Sequence, residues 1–226
     1  MLIRTGNHIA AGRGTQPAPS SVPSIAPLFD SIELAGVTMA FDGNAEIFGE
    51  GEPADYVYKV LSGSVRTYRI LSDGRRQITA FHLPGDVFGL ESAEDHSCSA
   101  EAINQATVLV VKRSTMLATA DREPNVARQL WRLTARALRQ SQDHIMLLIK
   151  SAQERVASFL LEMAGRLSAS AVELPMTRQD IADYLGLTIE TVSRTLTQLQ
   201  GAATIELPAS RRIVLRNRSA LNRLDS

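Results

Sequence analysis

Cysteine is nearly absent from this sequence: its 226 residues contain one, Cys98. A single thiol excludes an intrachain disulfide and leaves an iron–sulfur cluster three thiolates short. It suits a reducing compartment, so a cytoplasmic location is expected. Also missing is any apolar run near the roughly 20 residues that a membrane-spanning helix needs. The N-terminus lacks the basic-then-apolar order of a secretion signal. No glycine-rich phosphate loop, His-Glu-x-x-His pair or Gly-x-Ser-x-Gly elbow occurs, so nothing points to an enzyme. The acidic pair Glu50 and Glu52 sits in a glycine-rich stretch and reads as turn residues.

Charge is balanced overall but unevenly placed. Residues 42–101 carry 11 acidic and five basic side chains, whereas 102–150 carry three acidic and eight basic. An acidic segment followed by a basic one suits a protein that meets a polyanion at one end only. The length allows two domains with separate cores. Residues 1–27 hold four of the nine prolines with little periodicity and read as a flexible leader.

Residues 177–200 are the most informative stretch. Thr177 and Asp180 stand in the Thr-x-x-Asp spacing of a capping box. Ile181 and Leu185 share one helical face, and Ala182 is small enough for a second helix to cross closely. Gly186 falls where a tight interhelical turn needs positive φ. Thr188 caps the second helix, whose Val192, Leu196 and Leu199 turn inward. That leaves Ile189, Glu190, Thr191, Ser193 and Arg194 at its N-terminal end, where a recognition helix touches base edges. Arginine bonds guanine bidentately, and glutamate accepts from the cytosine amino group.

Gly201 is expected to end this helix. Runs at 204–207 and 212–215, parted by Pro208-Ala209-Ser210-Arg211, read as a hairpin, the wing beside a helix-turn-helix. Residues 194–218 contain five arginines and one acid, Glu206. Thr177, Arg178, Thr188, Arg211 and Arg212 are the candidate contacts to the DNA backbone.

Upstream, short β-rich runs at 57–61, 65–70, 78–83 and 107–111 alternate with turn glycines. Asp73-Gly74 between two of them is a strong hairpin signal. Many short antiparallel strands suggest a jelly roll or barrel. A long helix is expected after Pro124. Val126, Leu130, Leu133, Ala137, Gln140, His144 and Leu147 continue a 4-3 spacing, which describes a coiled-coil seam for a homodimer. Arg128, Arg132, Arg136 and Arg139 line another face. A further helix over about 152–167 carries Val156, Phe159, Leu160 and Met163 inward, and 165–175 reads as a connection.

These motifs identify the chain as resembling the CRP/FNR superfamily of bacterial transcription regulators, over about residues 28–222 and most of all its FixK-type branch. Asp180-Ile181-Ala182, Tyr184-Leu185-Gly186-Leu187-Thr188 and Glu190-Thr191-Val192-Ser193-Arg194 carry the resemblance. Gly49-Glu50-Gly51-Glu52-Pro53-Ala54, Leu61-Ser62-Gly63-Ser64-Val65-Arg66 and Pro84-Gly85-Asp86-Val87-Phe88-Gly89 add to it. The implied fold is α+β: an N-terminal cyclic-nucleotide-binding-like β-roll (28–120), a long dimerisation helix (121–150) and a C-terminal winged helix-turn-helix (151–226).

The cAMP-binding branch has Gly-Glu and Arg-Ser-Ala where this chain has Gly89-Leu90 and Cys98-Ser99-Ala100. A cyclic phosphate would lack its arginine partner. No cofactor is therefore expected. His96-x-Cys98 supplies only two ligands, so no metal is expected either. Nothing local lowers the Cys98 pKa, and Asp95 and Glu101 are expected to raise it.

Ile189 and Ser193 replace an arginine and a glycine of the cAMP-binding pattern. That resemblance implies palindromic TTGA-type half-sites, with activation of low-oxygen respiration and nitrogen-fixation genes. It also implies that Asp73, Gly74 and Arg75, at the hairpin tip, meet RNA polymerase. The expected protein is a homodimer, active without a small-molecule effector. Two alternatives stay open at this stage: a roll gated by an unidentified small molecule, and a binding module that uses its helix-turn-helix for protein contacts.

Overall fold

The computed structural model describes residues 36–167 and 171–225, and the leader expected over 1–27 lies outside them. Eight strands form the first unit: β1 (Val37–Phe41), β2 (Glu46–Phe48), β3 (Tyr56–Ser62), β4 (Val65–Ile70), β5 (Arg76–His82), β6 (Val87–Phe88), β7 (Ser99–Ala102) and β8 (Ala106–Lys112). They make two antiparallel sheets, ordered β1-β8-β3-β6 and β2-β7-β4-β5. Between them lie Phe48, Val60, Val65, Phe88, Ala100, Ala102, Ala106 and Val108. Three of these fillers are alanines, which lets the two sheets approach closely around a few aromatic rings. Gly63 is required where β3 turns into β4. Its φ is +76°, and a Cβ there would lie 2.3 Å from the Gln105 carbonyl oxygen.

The four expected strands are present. Between β4 and β5, Leu71 N–H donates to Arg75 O at 2.8 Å, and Gly74 takes φ +85°. β1, β2, β6 and β7 were not read from the sequence. Two of them are only two or three residues long, too short for an alternating pattern to emerge.

Two helices follow, α1 (Arg113–Arg122) and α2 (Pro124–Leu148), the second opening on its proline as Pro-N1 helices do. Part of the expected seam on α2 is engaged within the chain. Val126, Leu130 and Leu133 pack against Val57, Leu109 and Val111 of the roll and Met116 of α1. Leu147 joins the core of the C-terminal unit, and His144 stacks on Tyr184. Ala137 and Gln140, between those two contacts, are exposed. The 4-3 spacing did mark an apolar face, but the nearest apolar surface for it is intrachain. A second apolar stripe runs along the outside: Trp131, Leu138 and Ile145 at seven-residue spacing, with Met146 and Ile149, all at least 57% exposed.

The C-terminal unit comprises α3 (Ala152–Arg166), β9 (Ala171–Glu173), α4 (Arg178–Leu185), α5 (Ile189–Gly201), β10 (Ile205–Ala209), β11 (Arg212–Leu215) and α6 (Arg218–Asp225). Ser151 and Glu154 form a complete capping box at the start of α3. The strands pair as β10-β11-β9. β9 falls in the segment expected to be a bare connection, and α6 was not anticipated. The hairpin turn is also tighter than expected, because Ala209 pairs with Arg212 and a bulge absorbs Pro208.

Candidate nucleic-acid interface

Thr177 Oγ1 accepts from Asp180 N–H at 3.1 Å, and Asp180 Oδ2 accepts from Thr177 N–H at 2.9 Å, the reciprocal capping box that starts α4. The helix stops at Gly186, whose φ is +61°. Arg155 of α3 donates to the carbonyls of Leu185 and Gly186 there, satisfying oxygens left free at the helix end. Thr188 Oγ1 then accepts from Thr191 N–H at 3.2 Å and caps α5.

Val192, Thr195, Leu196 and Leu199 are buried, so the crossing of the two helices fixes which face of α5 remains outside. That face presents Ile189, Glu190 and Arg194 exposed, with Thr191 and Ser193 half-buried. The Glu190 carboxyl is held below the usual range by its own backbone N–H and by the Thr188 hydroxyl. It is therefore ionised at neutral pH, an acceptor only, suited to an amino donor. Arg194 stands one turn further on and acts on Glu190 electrostatically.

The expected backbone set is divided. Arg211 and Arg212 are exposed at the tip of the β10–β11 wing, with one Arg211 nitrogen donating to Pro175 O. Thr177 and Thr188 have their hydroxyls engaged as caps. Arg178 is half-buried and donates from Nη1 to Ser193 Oγ at 3.3 Å, tying α4 to α5. Arg216 is paired with Glu206 across the wing, so one of the five arginines of this segment is engaged within the protein.

Gly201 is the last residue of α5 and not the C′ glycine beyond it. Ala202 is the C-cap, and Ala203 takes φ +52°. Ala203 N–H donates to Gln200 O and Thr204 N–H to Leu199 O, the paired bonds of a Schellman motif with alanine in the glycine place. A cleft of about 820 Å³ opens beside the N-terminus of α5, lined by Leu71, Arg75, Gln77, Gln179, Thr188 and Glu190 among others. The hairpin tip of the roll thus borders the reading end of the recognition helix. At that tip, Asp73 and Arg75 form an exposed ion pair at 2.7 Å.

In the roll, the positions of the cyclic-nucleotide motif are engaged otherwise. Ser99 Oγ accepts from Glu50 N–H at 2.9 Å. His96 is buried with its ring 3.6 Å from that of Phe48. Cys98 is pushed up to about 11, chiefly by burial and then by Glu91 and Glu50. Asp95 and Glu101, expected to raise it, are not the cause.

A roll joined by a long helix to a winged helix-turn-helix with an exposed reading face is the architecture of a DNA-binding transcription regulator. A Crp-like helix-turn-helix domain family matches residues 154–224, and a cyclic nucleotide-binding domain family matches 38–123. The chain is 53% identical to the nitrogen fixation regulation protein FixK of Azorhizobium caulinodans, over 86% of this chain and 82% of that one. It is 42% identical to the FixK of Rhizobium meliloti, over 79% and 82%. The structure of FixK2 from Bradyrhizobium japonicum superposes with a TM-score of 0.82 at 54% identity, covering 84% of this chain and 98% of that one. The chain belongs to the CRP/FNR superfamily, in its FixK-type branch, and is a transcription regulator rather than an enzyme.

Proposed function

We propose that this protein is an activator that binds TTGA-type palindromes as a homodimer, works in the cytoplasm and needs no small-molecule effector. The observation that carries this reading is the outward face of α5, where an ionised Glu190 and an exposed Arg194 lie one turn apart beside Ser193. Glu190 is assigned to a cytosine amino group and Arg194 to a guanine edge, with Ile189, Thr191 and Ser193 beside them. Arg211 and Arg212 at the wing tip, with Arg178, are assigned to phosphates. The target genes proposed are those of low-oxygen respiration and nitrogen fixation, following the names of the relatives.

A palindrome needs two recognition helices about 34 Å apart, hence a second copy. The outer stripe of α2, Trp131, Leu138 and Ile145, is assigned to that interface in place of the inner one. Its seven-residue spacing suits a parallel helix pair, and every substitution on a two-fold axis counts twice. The hairpin tip at Asp73, Gly74 and Arg75 is assigned to RNA polymerase.

The experiment is DNA binding by the full chain without added ligand. Affinity of about 10⁻⁸ M or better for a TTGA palindrome is expected, falling steeply with salt, against far weaker binding to a scrambled duplex. Equal affinity for both duplexes would refute sequence-specific recognition. One observation favours a second reading, a roll gated by a small molecule: His96 is buried, its Nε2 has no hydrogen-bond partner, and its Nδ1 lies 3.9 Å from Glu91 Oε1. On that reading, specific binding would be missing until a ligand is supplied.

A further inference from the structure

Among the described residues, a network of five charged side chains, Arg66, Arg76, Glu101, Asp180 and Asp183, lies where the roll meets the helix-turn-helix. Asp180 is 1% exposed, and its two carboxylate oxygens have different tasks. Oδ2 faces its own helix, accepting from Thr177 N–H and, at 2.7 Å, from the Thr177 hydroxyl. Oδ1 faces the roll, accepting from Arg66 Nη1 at 3.0 Å and from Arg76 Nη2 at 2.8 Å.

Arg66 is itself immobilised from the roll side. Its Nη2 meets Glu101 at 2.9 Å and Asn44 at 3.0 Å, leaving Nη1 to reach across. Arg76 also bonds Asp183 at 2.8 Å, and Gln77 donates to Tyr184 O at 3.3 Å. Three neighbouring sites on one eight-residue helix, at 180, 183 and 184, are thereby held by adjacent strands β4 and β5.

We propose that Asp180 is a positioning residue for DNA recognition, which through Arg66 and Arg76 fixes the orientation of α4, and of α5 after it, on the roll. This rests on the reading that α5 contacts DNA. The apolar part of the same interface, Ile78 and Phe81 against Phe159, Tyr184 and Leu185, attracts without direction and tolerates rotation. A buried ion pair adds little net stability over an apolar one, but its geometry is directional, and its best attested use is to fix register. The orientation is passed to α5 by the Gly186 turn and by the Arg178–Ser193 bond. The pose of the recognition helix on the roll then depends on charged side chains of the protein itself.

The test uses the full chain carrying Cys98→Ser, with spin labels at Glu94→Cys on the roll and Gln198→Cys on α5, without DNA or ligand. With labelled chain diluted in an excess of unlabelled chain, so that most labelled dimers carry one labelled protomer, one narrow interlabel distance distribution is expected. In Arg66→Met/Arg76→Met it broadens, affinity for the TTGA palindrome falls at least tenfold, and affinity for a scrambled duplex changes less than twofold. Arg66→Lys/Arg76→Lys regains most of the loss. Arg76→Met alone, a milder change at a partly exposed side chain, shifts both readouts in the same direction if the double variant fails to fold. An unchanged distance distribution, or an unchanged palindrome affinity, overturns the proposal even if the urea midpoint drops. If the parent chain shows no preference for the palindrome, the DNA reading fails, while the spin-label distances still decide the positioning role.

Discussion

The imidazole of His144 lies flat on the phenol ring of Tyr184, with centroids 4.2 Å apart and planes 12° from parallel. Its Nε2 is 2.8 Å from the Tyr184 carbonyl oxygen. The long helix is thus fastened to the first helix of the helix-turn-helix within one chain. His144→Ala removes a ring stack and a hydrogen bond together. A loss of about 1–3 kcal/mol in urea unfolding is expected. A variant as stable as the parent would show that this contact does not hold the helix.

The two apolar stripes of α2 separate by their response to substitution. Leu133→Ala opens a cavity against Val111 and Met116 and should cost about 2–5 kcal/mol of chain stability. Leu138→Glu with Ile145→Glu, both on exposed positions, should leave the fold intact and yield monomers in sedimentation. A dimer surviving that double change would place the interface elsewhere.

Arg194→Ala should cost about 1–3 kcal/mol of binding and relax discrimination at one guanine. The check is affinity for the palindrome and for each single-base variant of one half-site. Equal weakening on every sequence would reassign Arg194 to a phosphate.

His82 is half-buried and stacks on Phe88, with Nε2 3.2 Å from the Thr67 hydroxyl. Burial lowers it to about 4, Arg166 acting in the same direction and Asp86 against. An unfolded chain protonates it near 6.5. Between those values the unfolded state binds more protons, so stability drains as pH falls through that window and is complete above it. Up to about 3 kcal/mol is involved, at 1.36 kcal/mol per pH unit. Urea midpoints from pH 7 to 4 should decline less steeply in His82→Gln than in the parent; equal slopes would remove His82 as the cause.

Ala203 occupies the left-handed region that costs a non-glycine residue about 1–2 kcal/mol. Ala203→Gly should raise stability by about 0.5–1 kcal/mol after its own entropic cost. Thermal denaturation checks this, and a lowered midpoint would mean that the alanine is not strained.

The helix-turn-helix was legible because its signals are local. Thr177, Gly186 and Thr188 act within four residues of themselves, through caps and a positive φ, so spacing alone predicts them. The β4–β5 hairpin was legible for the same reason, from Asp73-Gly74. Gly201 misled as to the C′ position, because a glycine is the usual residue there, while the Schellman bonds to Leu199 and Gln200 gave that position to Ala203. β9 was invisible because three residues carry no period, and its existence depends on β11 lying beside it.

The amino-acid sequence by itself determined the helix-turn-helix and its wing hairpin, the long helix, four strands of the roll and the composition of the reading face on α5. Those follow from side-chain size, capping and backbone freedom, which are short-range. Only the tertiary structure decided the use of each face. Both stripes of α2 are apolar, and periodicity cannot say which meets its own roll. Asp180 reads as a cap, yet its second oxygen belongs to Arg66, 114 positions away. Such pairings form when folding brings distant strands and helices together, and a buried charge then selects the one partner whose geometry offsets its lost hydration.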